Sequence, residues 1–460
     1  MAEVKKGLIL RLYEILKTVR NLKSYTESEA EGLLNLLVRE QEHTFKAFFD
    51  KRHYGAALYW IQEVVGKHVI EAVEAKEKGK KVIMIPFNFP PEVIHVFENA
   101  VPLTTELVSS LGVVGLAHQG EPYWDYALSL GLPDTMCSAN AIAIASMLLS
   151  KEAEEFVPDL MISAAPGSCD ANSKVHELAA EYLGIPEIIL DKTGESSRDF
   201  ELYRRLFRRM FSKLEEKLGE ADEDRMIKTL EKANRATELY WELHELKKHS
   251  PCPVPNLFTP MSYGTRCSMW GRDEAISIFE KLVEVAEKRL KRGEYPAEEE
   301  VARSMWVYTG YYFDALDFWI WLEDNGISYL DDLINLQALK GAYKAETKEE
   351  AIDAFADIAW NMMMTRQMGA ENMGLRWVED ILYDINDLNA NCAIYAGHHA
   401  CKQTQAVFRI LRDELSRRGI PVLRLEGDCW NRRITPMSVL QETILDFVKN
   451  VVAKRKKLRK

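Results

Sequence analysis

The chain has 460 residues, an apolar content of 47% and a formal net charge of -12. That length exceeds one ordinary domain, so two or three are expected, and the apolar share is enough for sizeable cores. The acidic balance argues against nucleic acid as a main partner, because phosphate binding needs a basic surface. The one dense basic run, Lys454 to Lys460, reads as a solvated tail behind a helix. No stretch approaches the ~18 apolar residues of a membrane span, and Met1 to Leu10 lacks the apolar region of a secretory signal. A cytoplasmic protein with no membrane contact is the expectation. Seven cysteines, an odd number, do not make a disulfide framework. In a reducing compartment they are buried thiols, metal ligands or reactive groups.

Residues 1–80 read as a helical segment: Leu8, Leu12, Ile15 and Val19 recur at helical spacing, as do Leu33, Leu36 and Leu37 after Glu29 and Glu31. Gly79 breaks the pattern. Val82 to Ile85 is a continuous apolar run of the kind found in buried parallel strands. Pro90-Pro91 with Glu92 opens a helix. Val113 to Leu116 is a candidate second strand, and Ala139 to Leu149 an Ala-rich helix. A two-strand unit follows at 160–191, then charged helical sequence over 200–250. Pro251-Cys-Pro-Val-Pro255 is the strongest break in the chain. Beyond it come a helix at Ala275 to Leu290, strands at Met305 to Tyr308 and Ile327 to Leu330, and helices at Phe313 to Glu323 and Glu349 to Gln367. A unit at 390–428 and a helix at Val439 to Val452 end the chain. Strands alternating with helices predict parallel sheets with right-handed crossovers. The expected architecture is α/β: a helical segment (1–80), a first α/β domain (81–255) and a second (256–460).

One pattern occurs twice. Leu160-Met-Ile-Ser-Ala-Ala-Pro-Gly-Ser-Cys169 leads through a helix to Gly184-Ile-Pro-Glu-Ile-Ile-Leu-Asp191. Cys392-Ala-Ile-Tyr-Ala-Gly-His-His-Ala-Cys401 leads through a helix to Gly419-Ile-Pro-Val-Leu-Arg-Leu-Glu-Gly-Asp428. Cys137, Cys169 and Cys401 each stand just before a helix, and the last two also follow a strand. Open parallel sheets bind ligands at the carboxyl ends of strands. A thiol there meets the positive end of the next helix, which favours the thiolate that soft metals and iron–sulfur clusters need. No Cys-x-x-Cys occurs, which disfavours zinc ribbons and ferredoxin loops. On spacing alone, three buried free cysteines and three ligands of a shared cluster both remain open. Cys252, Cys267 and Cys392 read as structural, while Cys429 ends a strand-end Glu-Gly-Asp-Cys and could lie near such a site. The aromatic run Trp306 to Phe313 fits a pocket wall or a core. No Walker loop, dinucleotide glycine motif, nucleophile elbow or His-Glu-x-x-His is present, so any nucleotide must bind another protein.

Leu-Pro-Asp-Thr-Met-Cys137, Cys169-Asp170 and Cys401 followed by Gly419-Ile-Pro-Val-Leu-Arg-Leu-Glu-Gly-Asp428 resemble, in order and distance, the 2-hydroxyacyl-CoA dehydratases and ATP-dependent benzoyl-CoA reductases. The resemblance spans about 80–450, with 270–330 following it loosely. It implies two Rossmann- or flavodoxin-like domains, a 4Fe-4S cluster on Cys137, Cys169 and Cys401, and a paralogous second subunit. It also implies an ATP-dependent iron–sulfur activator protein and an acyl-CoA substrate. The activity it implies is elimination of water from a 2-hydroxyacyl-CoA by way of a ketyl radical. Reduction of an aryl-CoA ring, as in benzoyl-CoA reductase, is an alternative. So is a double-cubane (8Fe-9S) reductase, with Cys392 or Cys429 as extra ligands, and so is a non-catalytic partner subunit. Glu106 falls where the family carries a glutamate near the substrate, with its proline displaced to Pro102. Pro86-Phe-Asn-Phe89 stands where catalytic dehydratase subunits have a serine. Arg432 or Arg433 stands in for an arginine that the family places near Asp428.

Overall fold

The computed structural model describes residues 8–20, 47–108, 120–164, 169–191, 197–313, 315–335, 341–363, 365–366 and 375–458. Two four-stranded, all-parallel sheets organise them. The first contains β1 (Lys81–Ile85), β2 (Ala100–Thr104), β3 (Leu160–Ala164) and β4 (Glu187–Leu190), in the order β2-β1-β3-β4. The second contains β5 (Ala302–Trp306), β6 (Ile327–Asp332), β7 (Cys392–Tyr395) and β8 (Val422–Arg424), in the order β6-β5-β7-β8. The two orders are the same order, so the repeated sequence pattern is a repeated fold. The central strands are mostly apolar and buried because helices cover both faces of a parallel sheet; every residue of β3, β5 and β7 is buried.

The chain order expected for the 160–191 and 390–428 units holds. The remaining strands at Val82, Met305 and Ile327 hold too, within a residue or three at each end. The second strand of the first sheet is instead Ala100–Thr104, at the sheet edge. The candidate at Val113 to Leu116 lies outside the described residues, as do Leu33, Leu36 and Leu37. The long charged stretch is two helices, Ser197–Leu218 and Glu223–Lys247, parted at Gly219, whose φ is 89°.

One core face of the first sheet packs Ile83, Ile162 and Ile188 against Phe207, Phe211 and Phe355. The helix bearing Phe355, Lys348–Trp360, is held to helix Ser197–Leu218 by Arg208, which donates twice to Asp353 (2.8 and 2.6 Å). The other face packs Met84 and Met161 on Ile144 and Val175 of helices Ser138–Glu152 and Asp170–Leu183. A third, larger cluster joins the second sheet to the N-terminal helices and to part of helix Ser138–Glu152.

The strand order also decides where a ligand fits. In each sheet the chain leaves the first strand for one side and the third for the other, and the loops diverge at this switch point. In the first sheet they follow β1 and β3, carrying Phe87 and Cys169. In the second they follow β5 and β7, carrying Tyr308, His398 and Cys401.

Candidate functional site

Cys137, Cys169 and Cys401 are each the N-cap residue of a helix: Ser138–Glu152, Asp170–Leu183 and Lys402–Arg417. None makes a side-chain cap hydrogen bond. Cys137 and Cys401 are buried and Cys169 is half-buried. The three gather around Tyr308, whose phenol is raised far above its usual range. Burial is the main cause, followed by the charges of Cys401, Cys137, Cys429 and Cys169.

The helix ends were expected to lower these thiols. Burial reverses that at two of them. Cys169 is pushed well up by burial and then by the proximity of Cys137 and Cys401. Cys401 is raised by burial against the pull of His398 and Thr404. Like charges brought together in a dry place disfavour one another, and a bound cation reverses this balance. Among the described residues, no three His, Cys, Asp or Glu side chains converge on a single metal-ion position. A mononuclear site requires donors within about 2.0–2.3 Å of one ion; a cluster takes one cysteine per iron and keeps its ligands apart. The donor set, three thiols and no carboxylate among them, is the kind that iron–sulfur clusters use.

His398 lies inside this group and is fully buried. Its Nε2 is 3.4 Å from Cys137 Sγ and its Nδ1 is 3.0 Å from Asp428 Oδ2. Asp428 Oδ1 in turn accepts from the Ser138 hydroxyl and from the backbone N–H groups of Trp430 and Asn431 (both 2.9 Å). Tyr308 stacks on one face of the ring, with centroids 5.7 Å apart and planes at 16°, and Trp430 meets it edge-on at 4.9 Å. Burial opposes a charged imidazole, but Asp428 and Cys137 outweigh it and hold His398 well above its usual range. His399, its neighbour, is exposed.

Gly397 makes this placement feasible. Its φ is +68°, and a Cβ there would sit 1.8 Å from the Leu425 carbonyl oxygen. Without a side chain, the loop after β7 runs beside the loop after β8: Gly427 N–H donates to Gly397 O (3.2 Å), and His398 pairs with Gly427 as an isolated parallel bridge. That pairing sets His398 against Asp428, the next residue.

Glu106 follows β2 and is buried. Its Oε2 accepts from the Phe87 N–H (2.9 Å) and its Oε1 from the Asn172 amide. Burial nevertheless pushes its carboxyl up to about 7. It is close enough to Cys169, Cys267 and Tyr263 to raise each of them further. The Pro86-Phe-Asn-Phe89 segment, where a serine was expected, thus reaches Glu106 through backbone rather than a hydroxyl. The two arginines near Asp428 turn outward: Arg432 pairs with Glu121 and Arg433 with Asp125.

The other cysteines separate cleanly. Cys392 begins β7, the end of that strand away from the thiol group, and its Sγ faces the Arg303 carbonyl at 3.8 Å. Cys252 sits against the Val254 carbonyl. Cys267 Sγ lies 3.6 Å from the Phe87 carbonyl oxygen. Cys429 is the near one: its N–H faces His398 Nδ1 at 3.4 Å, and its thiol is pushed up to about 12, chiefly by burial. Tyr308, Ser138 and Asn172 were not singled out from the sequence. The aromatic run held Tyr308, but nothing in it marked which ring faces the thiols.

Two like parallel sheets that bring three N-cap thiols together define an α/β protein with a shared inter-sheet site. The chain belongs to the 2-hydroxyglutaryl-CoA dehydratase D-component family, whose model matches residues 86–448, and so to the 2-hydroxyacyl-CoA dehydratase superfamily. It is 22% identical over 397 residues to the (R)-phenyllactyl-CoA dehydratase alpha subunit of Clostridium sporogenes, a match covering 81% of this chain and 90% of that one. Among the described residues, no helix is long and apolar enough to cross a membrane.

Proposed function

We propose that this chain is the iron–sulfur subunit of a 2-hydroxyacyl-CoA dehydratase, holding a 4Fe-4S cluster on Cys137, Cys169 and Cys401. The observation that carries the reading is the meeting of three N-cap thiols, two from the first half and one from the second, around Tyr308. Three ligands leave one iron of such a cluster open. When bound, the cluster supplies single low-potential electrons to an acyl-CoA thioester.

The chain's own residues then have separable tasks. Tyr308 lies among the thiols, and Trp430 covers His398 beside them and stacks on Tyr312 at 5.3 Å. Glu106, half ionised near neutral pH, holds or releases a proton beside the thiol group, and Asn172 and the Phe87 N–H keep it in place. Dehydration needs such a group, because the leaving hydroxyl takes up a proton and the β-carbon loses one. A paralogous subunit, an ATP-dependent activator and a cytoplasmic setting complete the proposal. Cys392 lies at the wrong strand end to extend the cluster, which leaves Cys429 as the one candidate for an extra ligand of a double cubane.

Anaerobic reconstitution of the full chain tests it. We expect about four irons and four sulfides per chain, and loss of both in Cys401→Ser. A chain that takes up no iron, or a metal-free preparation with full dehydratase activity, refutes it.

A further inference from the structure

The thiol group has a neighbour that the cluster reading does not use. His398 touches Cys137 Sγ through Nε2, at 3.4 Å, and every other contact of its ring is occupied. Asp428 holds Nδ1 at 3.0 Å. Asp428 is itself fixed by three donors on its other oxygen: the Ser138 hydroxyl and the N–H groups of Trp430 and Asn431. Tyr308 and Trp430 fix the ring plane. A carboxylate accepting that many donors is ionised, and it lies nearer Nδ1 (3.0 Å) than the Cys429 N–H does (3.4 Å), so Nδ1 carries a proton toward Asp428. A cysteine that binds iron is a thiolate and offers lone pairs only. The Nε2 that faces it must then carry a proton too.

We infer that His398 is a positioning residue that donates a hydrogen bond from Nε2–H to the Cys137 sulfur and thereby raises the reduction potential of the cluster. This rests on the cluster reading above. Direct ligation is the competing role. A histidine ligand of a separate iron would stand apart from Cys137 rather than in hydrogen-bond contact with its sulfur, and a cubane iron takes one terminal ligand. Hydrogen bonds to ligand sulfur, and positive charge near it, favour the more negative reduced cluster. Asp428 keeps the pair neutral overall, so the proton on Nε2 is the local device. Outer partners of this kind tune a metal centre through its ligands.

The test uses the full chain, reconstituted anaerobically, with histidine labelled in 15N. The midpoint potential is read by EPR-monitored redox titration of the parent, His398→Leu and His398→Gln, with iron content measured in each. We expect a more negative midpoint in His398→Leu at parental iron content, and a smaller shift in the same direction in His398→Gln, which retains an N–H but not the charge. Pulsed EPR of the labelled parent should show a weak histidine-nitrogen coupling that His398→Gln abolishes. That coupling is read in the parent and so stands even if a variant misfolds. An unmoved midpoint, or no histidine coupling in the parent, overturns the inference while leaving the cluster intact. A strong coupling, or loss of one iron in the variants, overturns it in favour of ligation. A parent that binds no iron defeats the proposed function itself.

Discussion

Glu106 sets burial against hydrogen bonding in a single carboxyl. Burial raises it to about 7 from 4.5, although its own N–H, the Phe87 N–H and the Asn172 amide all pull the other way. The folded value lies above the unfolded one. The stabilising contribution is therefore full below pH 4.5 and is lost as pH rises toward 7. At about 1.4 kcal/mol per pH unit the loss amounts to a few kcal/mol. Glu106→Gln should flatten the stability curve across that window, as denaturant midpoints at several pH values would reveal; an unaltered slope would contradict the assignment. Dehydratase rates of the parent should show an inflection near pH 7 that the variant lacks. At this scale little was legible beforehand. Glu106 was marked by motif position, but its partner Asn172 is 66 residues away, and no local pattern links them.

The elements explain how distant residues meet. Gly397 lets the loop after β7 lie against the loop after β8, with its Cα packed on the Leu425 carbonyl. Gly397→Ala should cost about 1 kcal/mol for the left-handed backbone and a further ~1–3 kcal/mol for the clash. It should also move His398 off Asp428, which a chemical denaturation midpoint and the cluster potential would report independently. Most strands were visible as apolar runs because helices bury both faces of a parallel sheet. β2 was not, since Pro102 interrupts it. The strand tolerates a proline because it is the edge of its sheet, where a missing N–H leaves no ladder bond unmade on the open side.

Across the whole molecule, the two halves are joined at the site rather than merely placed side by side. Ser138 begins the helix after Cys137, and its hydroxyl reaches Asp428 across 290 residues of sequence. Asp428→Ala would leave that hydroxyl, two backbone N–H groups and His398 without their acceptor. Each unmet buried donor costs about 1–3 kcal/mol, so the melting temperature should fall steeply and the iron should be lost. Arg433→Ala breaks only a half-exposed pair with Asp125 and should change stability by no more than about 0.5 kcal/mol. Thermal unfolding of the two variants side by side would separate a joint from a surface contact; equal effects would deny the joint its role.

The sequence by itself determined the α/β class, the repeated strand–glycine–cysteine–helix unit and the position of all three thiols at helix starts. These are local matters of periodicity, turn chemistry and strand-end placement, and each is written within about thirty residues. Only the tertiary structure decided that His398, not His399, faces Cys137, that Asp428 and Ser138 hold it there, and that burial overrides the helix ends in setting the Cys169 and Cys401 thiols. Those outcomes depend on which loops of two separate sheets lie against each other and on how much water they exclude. Neither quantity is local in sequence, because burial is a property of everything packed around a residue and not of the residue itself.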